Sequence, residues 1–209
     1  YNITNFELNM KKLLTPLLAT LLVGCQQAST TEISVDVTED INTATSIEVV
    51  PSPEPQVKWD CPTCNKNEQY VLRELQVSAK ITDRNALATI MGNIKSESNF
   101  HPNICEGGAR VNYNQCHSGG FGLIQWTTTG RYNNLGFFAK KYGCDPSTLE
   151  CQTRFLINEN QFQKVLPEFQ NGGFAIHQYM APSFYWLGWG IKGDREAFSH
   201  QYHAKLVQA

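Results

Sequence analysis

Along this chain apolar residues recur at helical rather than strand spacing, and the clearest case lies over 83–98. There Leu87, Ile90, Met91 and Ile94 follow the i, i+3, i+4, i+7 repeat of one buried helix face. Thr82 or Asp83 offers the short oxygen side chain that satisfies the first free backbone N–H groups of such a helix. Similar patterns predict helices over 65–80, 131–142, 152–167, 173–179 and 195–207. Long apolar/polar alternation is scarce, so little strand is expected. Residues 105–129 interrupt the helical pattern with glycines and read as a loop region carrying a short hairpin. The pattern predicts one mainly α (α+β) domain over 59–209, without internal repeats.

Before residue 59 the character changes. After Lys11 and Lys12 comes an apolar run over 13–23, shorter than the roughly 20 residues a membrane-crossing helix needs but suited to the core of an export signal. Met10 is the first residue suited to start translation, so 1–9 is expected to be a leftover or untranslated segment. The run closes on Leu22-Val23-Gly24-Cys25, which resembles the lipobox of bacterial lipoproteins. That resemblance implies a signal peptide over 10–24, cleavage before Cys25, and a lipid on its thiol that anchors the protein to a membrane facing the periplasm. An apolar helix with an incidental cysteine is the alternative. Gln26, rather than Asp, after the cysteine favours the outer membrane by the same likeness. Residues 26–58 hold no aromatic side chain, carry Pro51, Pro53 and Pro55, and set Glu32, Asp36, Glu39, Asp40, Glu48 and Glu54 against Lys58. Such a segment cannot bury enough apolar surface to offset its ordering entropy, so 25–58 reads as an acidic, disordered tether.

With 17 Lys and Arg against 19 Asp and Glu the net charge is −2. No basic block interleaves with aromatics, and nucleic acid is not an expected partner. Seven cysteines suit an exported chain better than a reducing compartment. Setting Cys25 aside leaves six cysteines, which allow 15 connectivities; local bridges from Cys105 to Cys116 and from Cys144 to Cys151 are the cheapest choice and leave Cys61 with Cys64 as a CxxC pair. A zinc site built on Cys61-x-x-Cys64 is the competing reading. His101, His117, His177, His200 and His203 form no paired metal motif, and neither metal nor cofactor is expected.

The chemistry concentrates around one carboxylate. At 3.6 residues per turn, Glu97 projects from the same face as the apolar stripe ending at Ile94. A carboxyl on the core side must be paired or protonated, and such surroundings suit a general acid. The alternative is that the helix has ended and Glu97 caps it or faces solvent. Further on comes Gly119-Gly120-Phe121-Gly122-Leu123-Ile124-Gln125-Trp126. Glycines let a backbone approach a ligand closely, while Gln and Trp offer an amide and a flat stacking face, a set suited to a sugar. A tight turn before a core segment is the plainer alternative. No Lys-Ser/Thr pair ends the run, so a phosphate loop is not indicated.

Together, Glu97-Ser98-Asn99-Phe100-His101-Pro102 and Gly120-Phe121-Gly122-Leu123-Ile124-Gln125-Trp126 resemble the signature of the lysozyme-like superfamily, which includes goose-type lysozymes and lytic transglycosylases. Met91-Gly92-Asn93-Ile94 before it, and Gln125-Trp126-Thr127 leading into Gly130-Arg131, narrow the likeness to the phage tail lysozyme family. The likeness covers most of 65–205, more loosely after 145, with Tyr179-Met180-Ala181-Pro182 and Arg195-Glu196-Ala197-Phe198 as fainter matches. It implies a lysozyme-like fold whose Gly-rich loop or small hairpin lines a substrate groove. The implied activity is cleavage of the β-1,4 bond between N-acetylmuramic acid and N-acetylglucosamine in peptidoglycan glycan strands, by a lysozyme or a lytic transglycosylase. The location implied is virion-associated if the gene belongs to a phage.

Carried over position by position, the resemblance makes Glu97 the general acid and gives Ser98 a place beside it in the substrate-binding set. Gln125 would bind the sugar or its N-acetyl group, and Phe121, Trp126 and Arg131 would line the groove. Asn99 stands where the family often has Gly, and Asn also tolerates left-handed backbone. Glu106, in the loop after the acid, is the first candidate for a second catalytic carboxylate, ahead of Asp145 and Asp194. In a lytic transglycosylase the sugar's own hydroxyl attacks and one glutamate suffices. The competing functions are a wall-binding module that anchors an envelope or virion component without chemistry, and a lipoprotein that recognises another protein.

Overall fold

Asn65 opens the first helix, α1 (Lys66–Val77), by accepting from the N–H groups of Asn67 and Glu68, while Glu68 reaches back to the Asn65 N–H. This reciprocal cap satisfies donors that a helix start leaves free. Asp83 caps α2 (Arg84–Ser98) through the Ala86 N–H. The computed structural model describes residues 57–117, 119–127 and 129–209. The expected leader, Cys25 and the tether up to residue 56 lie outside the described residues. Five further helices follow: α3 (Thr129–Tyr142), α4 (Leu149–Asn158), α5 (Asn160–Asn171), α6 (Ile176–Leu187) and α7 (Arg195–Lys205). Short strands β1 (Trp59–Asp60) and β2 (Val207–Gln208) pair antiparallel, Trp59 opposite Gln208. The protein is therefore mainly helical, as a lysozyme-like fold requires.

The predicted stripe on α2 is buried, but so is every residue from Ala86 to Ile94, on all faces of the helix. The one-sided expectation is corrected because α2 runs through the centre, with α1, α5, α6 and α7 packed around it. Its interior polar groups turn inward on the helix itself. Thr89 Oγ1 donates to the Asn85 carbonyl at 2.7 Å, and Asn93 Nδ2 to the Thr89 carbonyl at 2.9 Å.

Helix α7 lies antiparallel along α2. Near its start α2 sends Arg84 Nη2 to the carbonyls of His203 and Leu206, midway Gly92 meets Ser199, and at its end Glu97 meets Arg195. A Cβ on Gly92 would sit 2.4 Å from the Ser199 backbone nitrogen, so this crossing needs glycine.

Three predicted helix boundaries move. The 152–167 helix is two helices broken at Glu159, whose extended backbone (φ −70°, ψ 144°) ends α4 and begins α5. The 173–179 helix continues as α6 to Leu187 through Pro182, because Tyr179, Met180, Pro182, Ser183 and Trp186 give it a buried face. The last helix stops at Lys205 so that β2 can form. Between α2 and α3 the expected hairpin is reduced to isolated bridges, Ile104 with Arg110 and Cys105 with Phe121, beside a 3-10 turn at Tyr113–Gln115. Cys61–Cys64, Cys105–Cys116 and Cys144–Cys151 are disulfides, the local pairing expected from the spacing.

Candidate active site

Helix α2 persists through Glu97 and Ser98, then breaks at Asn99 (φ 49°) and Phe100 (φ 61°). Both lie in the left-handed region, which Asn tolerates and a bulky Phe enters only when tertiary packing demands it. Here the packing is plain: Phe100 is fully buried, edge-on to Tyr202 at 5.8 Å between ring centroids. The break leaves Glu97 in the last helical turn, where the helix dipole is unfavourable to a carboxylate. Arg195 offsets it, with Nη2 donating to Glu97 Oε1 at 2.5 Å. The two side chains keep 14% and 10% of their surface open. Glu97 Oε2 has no hydrogen-bond partner among the described residues.

Arg195 is itself fixed. Its Nη1 donates to the carbonyls of Ile191 and Lys192, both at 2.9 Å, and its guanidinium lies 4.9 Å from the centre of the Trp189 ring. The carboxylate therefore hangs from a guanidinium anchored by three separate contacts.

Behind Glu97 the Gly-rich run is clamped at Leu123. Ser98 Oγ donates to the Leu123 carbonyl at 2.8 Å, and the Leu123 N–H donates to Gln152 Oε1 at 2.9 Å. Gln152, fully buried on α4, also donates through Nε2 to the carbonyls of Pro102 and Pro146, each at 2.7 Å. One amide thus joins the loop after Glu97, the Gly run and the turn before α4. A Cβ on Gly122, at φ 75°, would fall 2.3 Å from Gln152 Oε1, so this glycine is what admits the clamp.

The structure brings Glu97, Ser98 and the Gly run together. Ser98 is 4% exposed and spends its hydroxyl on Leu123, which makes it a positioning residue rather than a sugar contact. Phe121 and Trp126 have no exposed surface; they support the Gly run from behind, and the expectation that they touch a sugar is corrected accordingly. Gln125, half-buried at φ 51°, donates through Nε2 to the Gly122 carbonyl at 3.0 Å. Arg131 turns inward to Glu159 through Nε at 3.2 Å and Nη2 at 2.6 Å. Glu106 is exposed, and its Oε2 accepts the Gly120 N–H at 2.9 Å. Asp145 accepts from the Ser147 N–H at the turn before α4, and Asp194 precedes α7 without capping it. A cleft of about 260 Å³ runs beside the Gly run, lined by Cys116, His117, Gly119, Thr127, Thr129 and Tyr132.

Three residues escaped the sequence reading of the site. Arg195 was visible only as part of a faint match, without a role. Gln152 has no local signal, since its partners lie on three separate segments. Glu159 accepts from the indole N–H groups of Trp126 (3.2 Å) and Trp186 (3.0 Å) as well as from Arg131. Its one signal is a carboxylate set among Phe155, Leu156, Ile157 and Phe162.

A mainly α domain with a glutamate closing a central buried helix, and a Gly-rich loop clamped to that same turn, defines a lysozyme-like protein. The chain belongs to the phage tail lysozyme family, whose profile matches residues 66–181. Membership gives it a peptidoglycan-lytic, lysozyme-like role. No curated protein matches the chain. Glu97, Ser98, Gln125 and Gln152 fall within the matched residues, whereas Arg195 and the rest of α7 fall beyond them.

Proposed function

We propose that the protein cleaves the β-1,4 bond between N-acetylmuramic acid and N-acetylglucosamine, with Glu97 as the general acid. The observation that carries this reading is the asymmetry of its carboxyl group: Oε1 is held by Arg195, while Oε2 has no partner among the described residues and the side chain remains partly open. A proton on Oε2 can pass to the departing glycosidic oxygen as the C1–O bond breaks, and the anchored Oε1 keeps the donor in one place. The positive charge then developing on the sugar ring is quenched either by water, leaving a reducing end, or by that sugar's own C6 hydroxyl, whose proton passes to the Glu97 carboxylate and leaves a 1,6-anhydro end. Glu106 is the proposed base for the water route. The lipobox reading of Cys25 completes the proposal by placing this activity at a membrane facing the cell wall.

Muropeptides released from purified sacculi by the full chain, analysed by mass spectrometry beside Glu97→Gln, test the proposal. Release falls by at least about a hundredfold in the variant, the scale of a lost general acid, while the far-UV circular dichroism is unchanged. Equal release by both proteins rejects Glu97. Binding to sacculi without release by either protein supports the wall-binding alternative instead.

A further inference from the structure

The corner joining α6 to α7 exposes aromatic surface that the fold itself does not use. Tyr185 is 73% exposed, Phe184 46% and the neighbouring Ile191 82%, with Trp189 half-buried among them. These rings form a path that starts at the acid. Arg195, which holds Glu97, lies 4.9 Å from the Trp189 ring centre; Trp189 meets Phe184 edge to face at 5.5 Å, and Phe184 meets Tyr185 at 5.9 Å. Past Tyr185 opens a cleft of about 410 Å³, where Gln161, Lys164 and Glu168 supply hydrogen-bonding groups. Exposed apolar patches rimmed by polar groups mark binding surfaces. Flat rings suit the apolar faces of pyranoses, and the polar rim suits their hydroxyl edges.

We infer that this aromatic ledge is a glycan-binding site, seating the length of peptidoglycan strand that runs from the bond at Glu97 towards the cleft at Tyr185. The inference rests on the reading of Glu97 given above. Two observations commit it to a sugar strand. The path begins at the guanidinium that holds the acid, so a strand cut at Glu97 passes over Trp189 first. The rim also mixes signs, Lys164 with Glu168 and Lys192 paired to Glu196, whereas attraction to an anionic lipid surface needs a cationic cluster.

The test uses the full chain carrying Glu97→Gln, so that binding is read without turnover. Tyr185→Ala is the main variant, because Phe184 and Trp189 separate Tyr185 from Arg195. Affinity is measured for long glycan strands prepared from sacculi and for a single disaccharide unit. The advantage of the long strand falls about tenfold in Tyr185→Ala, the scale of an interface aromatic, and Tyr185→Trp restores it. Phe137→Ala removes a ring of 69% exposure from α3 and leaves the advantage intact. An unchanged advantage in Tyr185→Ala overturns the ledge. So does a variant that keeps strand binding but loses adhesion to phosphatidylglycerol vesicles, which assigns the patch to a membrane. A wrong acid shows in the release assay alone, and a wrong ledge in the binding assay alone.

Discussion

Glu97 stands between two unlike flanks. On one side, the loop from Asn99 to Thr127 is fixed by a disulfide, Cys105–Cys116, and by the paired hold of Ser98 and Gln152 on Leu123. Its large side chains, Phe121, Leu123 and Trp126, are buried. On the other side, the α6–α7 corner meets Glu97 through the Arg195 ion pair and presents its rings to solvent. The family profile covers the first flank and stops before Pro182. The contrast separates two tasks: the covalently stapled side fixes the frame around Glu97, and the open side sets how its carboxyl is held and what lies next to it. Recognition surfaces belong on such exposed connections, carried by a rigid scaffold.

The contrast breaks hardest at Glu159, where the flanks are tied together. Its carboxylate takes the indole N–H of Trp126 from the loop flank and that of Trp186 from α6, along with Arg131. Replacing it with Ala leaves two buried indole donors without their acceptor and an arginine without its carboxylate. The expected loss is about 3 kcal/mol, set by the two buried indole donors left without an acceptor. Urea denaturation of Glu159→Ala and Glu159→Gln checks this, the Gln variant losing less because one acceptor oxygen remains. Equal stability of both variants and wild type would show that the two flanks are independent.

The same division explains what could be read from the chain beforehand. Helix α2, its Asp83 cap, the local disulfides and the Glu97 and Gly-run motifs were legible because each depends on residues close in sequence. The split at Glu159 was not, since it is stabilised by Trp126 and Trp186, 33 and 27 positions away. The 173–179 helix is predicted too short, because the buried face that carries α6 on through Pro182 is set by packing partners far away in sequence. Trp126 looked like a stacking face because aromatic residues serve both cores and sugars, and composition does not separate the two. Arg195 lies 98 positions from Glu97, and they meet because α7 packs along α2, at the Gly92–Ser199 crossing and through Arg84 on the His203 and Leu206 carbonyls.

That crossing sharpens the comparison from the open side. In Gly92→Ala the new methyl group would meet Ser199 backbone atoms at 2.4 and 2.7 Å, so α7 must move off α2. Overpacking of this kind costs about 1–3 kcal/mol, partly offset by the roughly 1 kcal/mol that Ala gains over Gly in a helix. A displaced α7 carries Arg195 away from Glu97. Activity on sacculi is therefore expected to fall further than the folded fraction does, as measured by release rate beside circular dichroism at one temperature. Activity that simply tracks the folded fraction would mean the Arg195 contact does not position the acid.

The smallest effect separates the flanks by pH and grows on the alkaline side. In the loop flank, Tyr113 and Tyr132 stack at 4.2 Å, and Tyr113 Oη donates to the Tyr132 carbonyl. Burial first, and then the neighbouring Tyr132, push the Tyr113 phenol up to about 12. On the α7 side, burial and then the hydrogen bond to Glu68 raise Tyr202 further. A phenol whose folded value lies above the unfolded value of about 10 holds its proton more tightly when folded. Its contribution to stability is complete below about pH 10 and is lost as pH rises through the folded value. In an alkaline titration followed by phenolate absorbance, Tyr113 then ionises before Tyr202. Tyr113→Phe removes the Tyr113 contribution and flattens the loss of stability between about pH 10 and 12, while costing about 1 kcal/mol at pH 7 for the missing hydrogen bond. An alkaline profile unchanged by Tyr113→Phe would mean that the Tyr113 phenol, and with it the stacked pair, is no part of what fixes the loop flank.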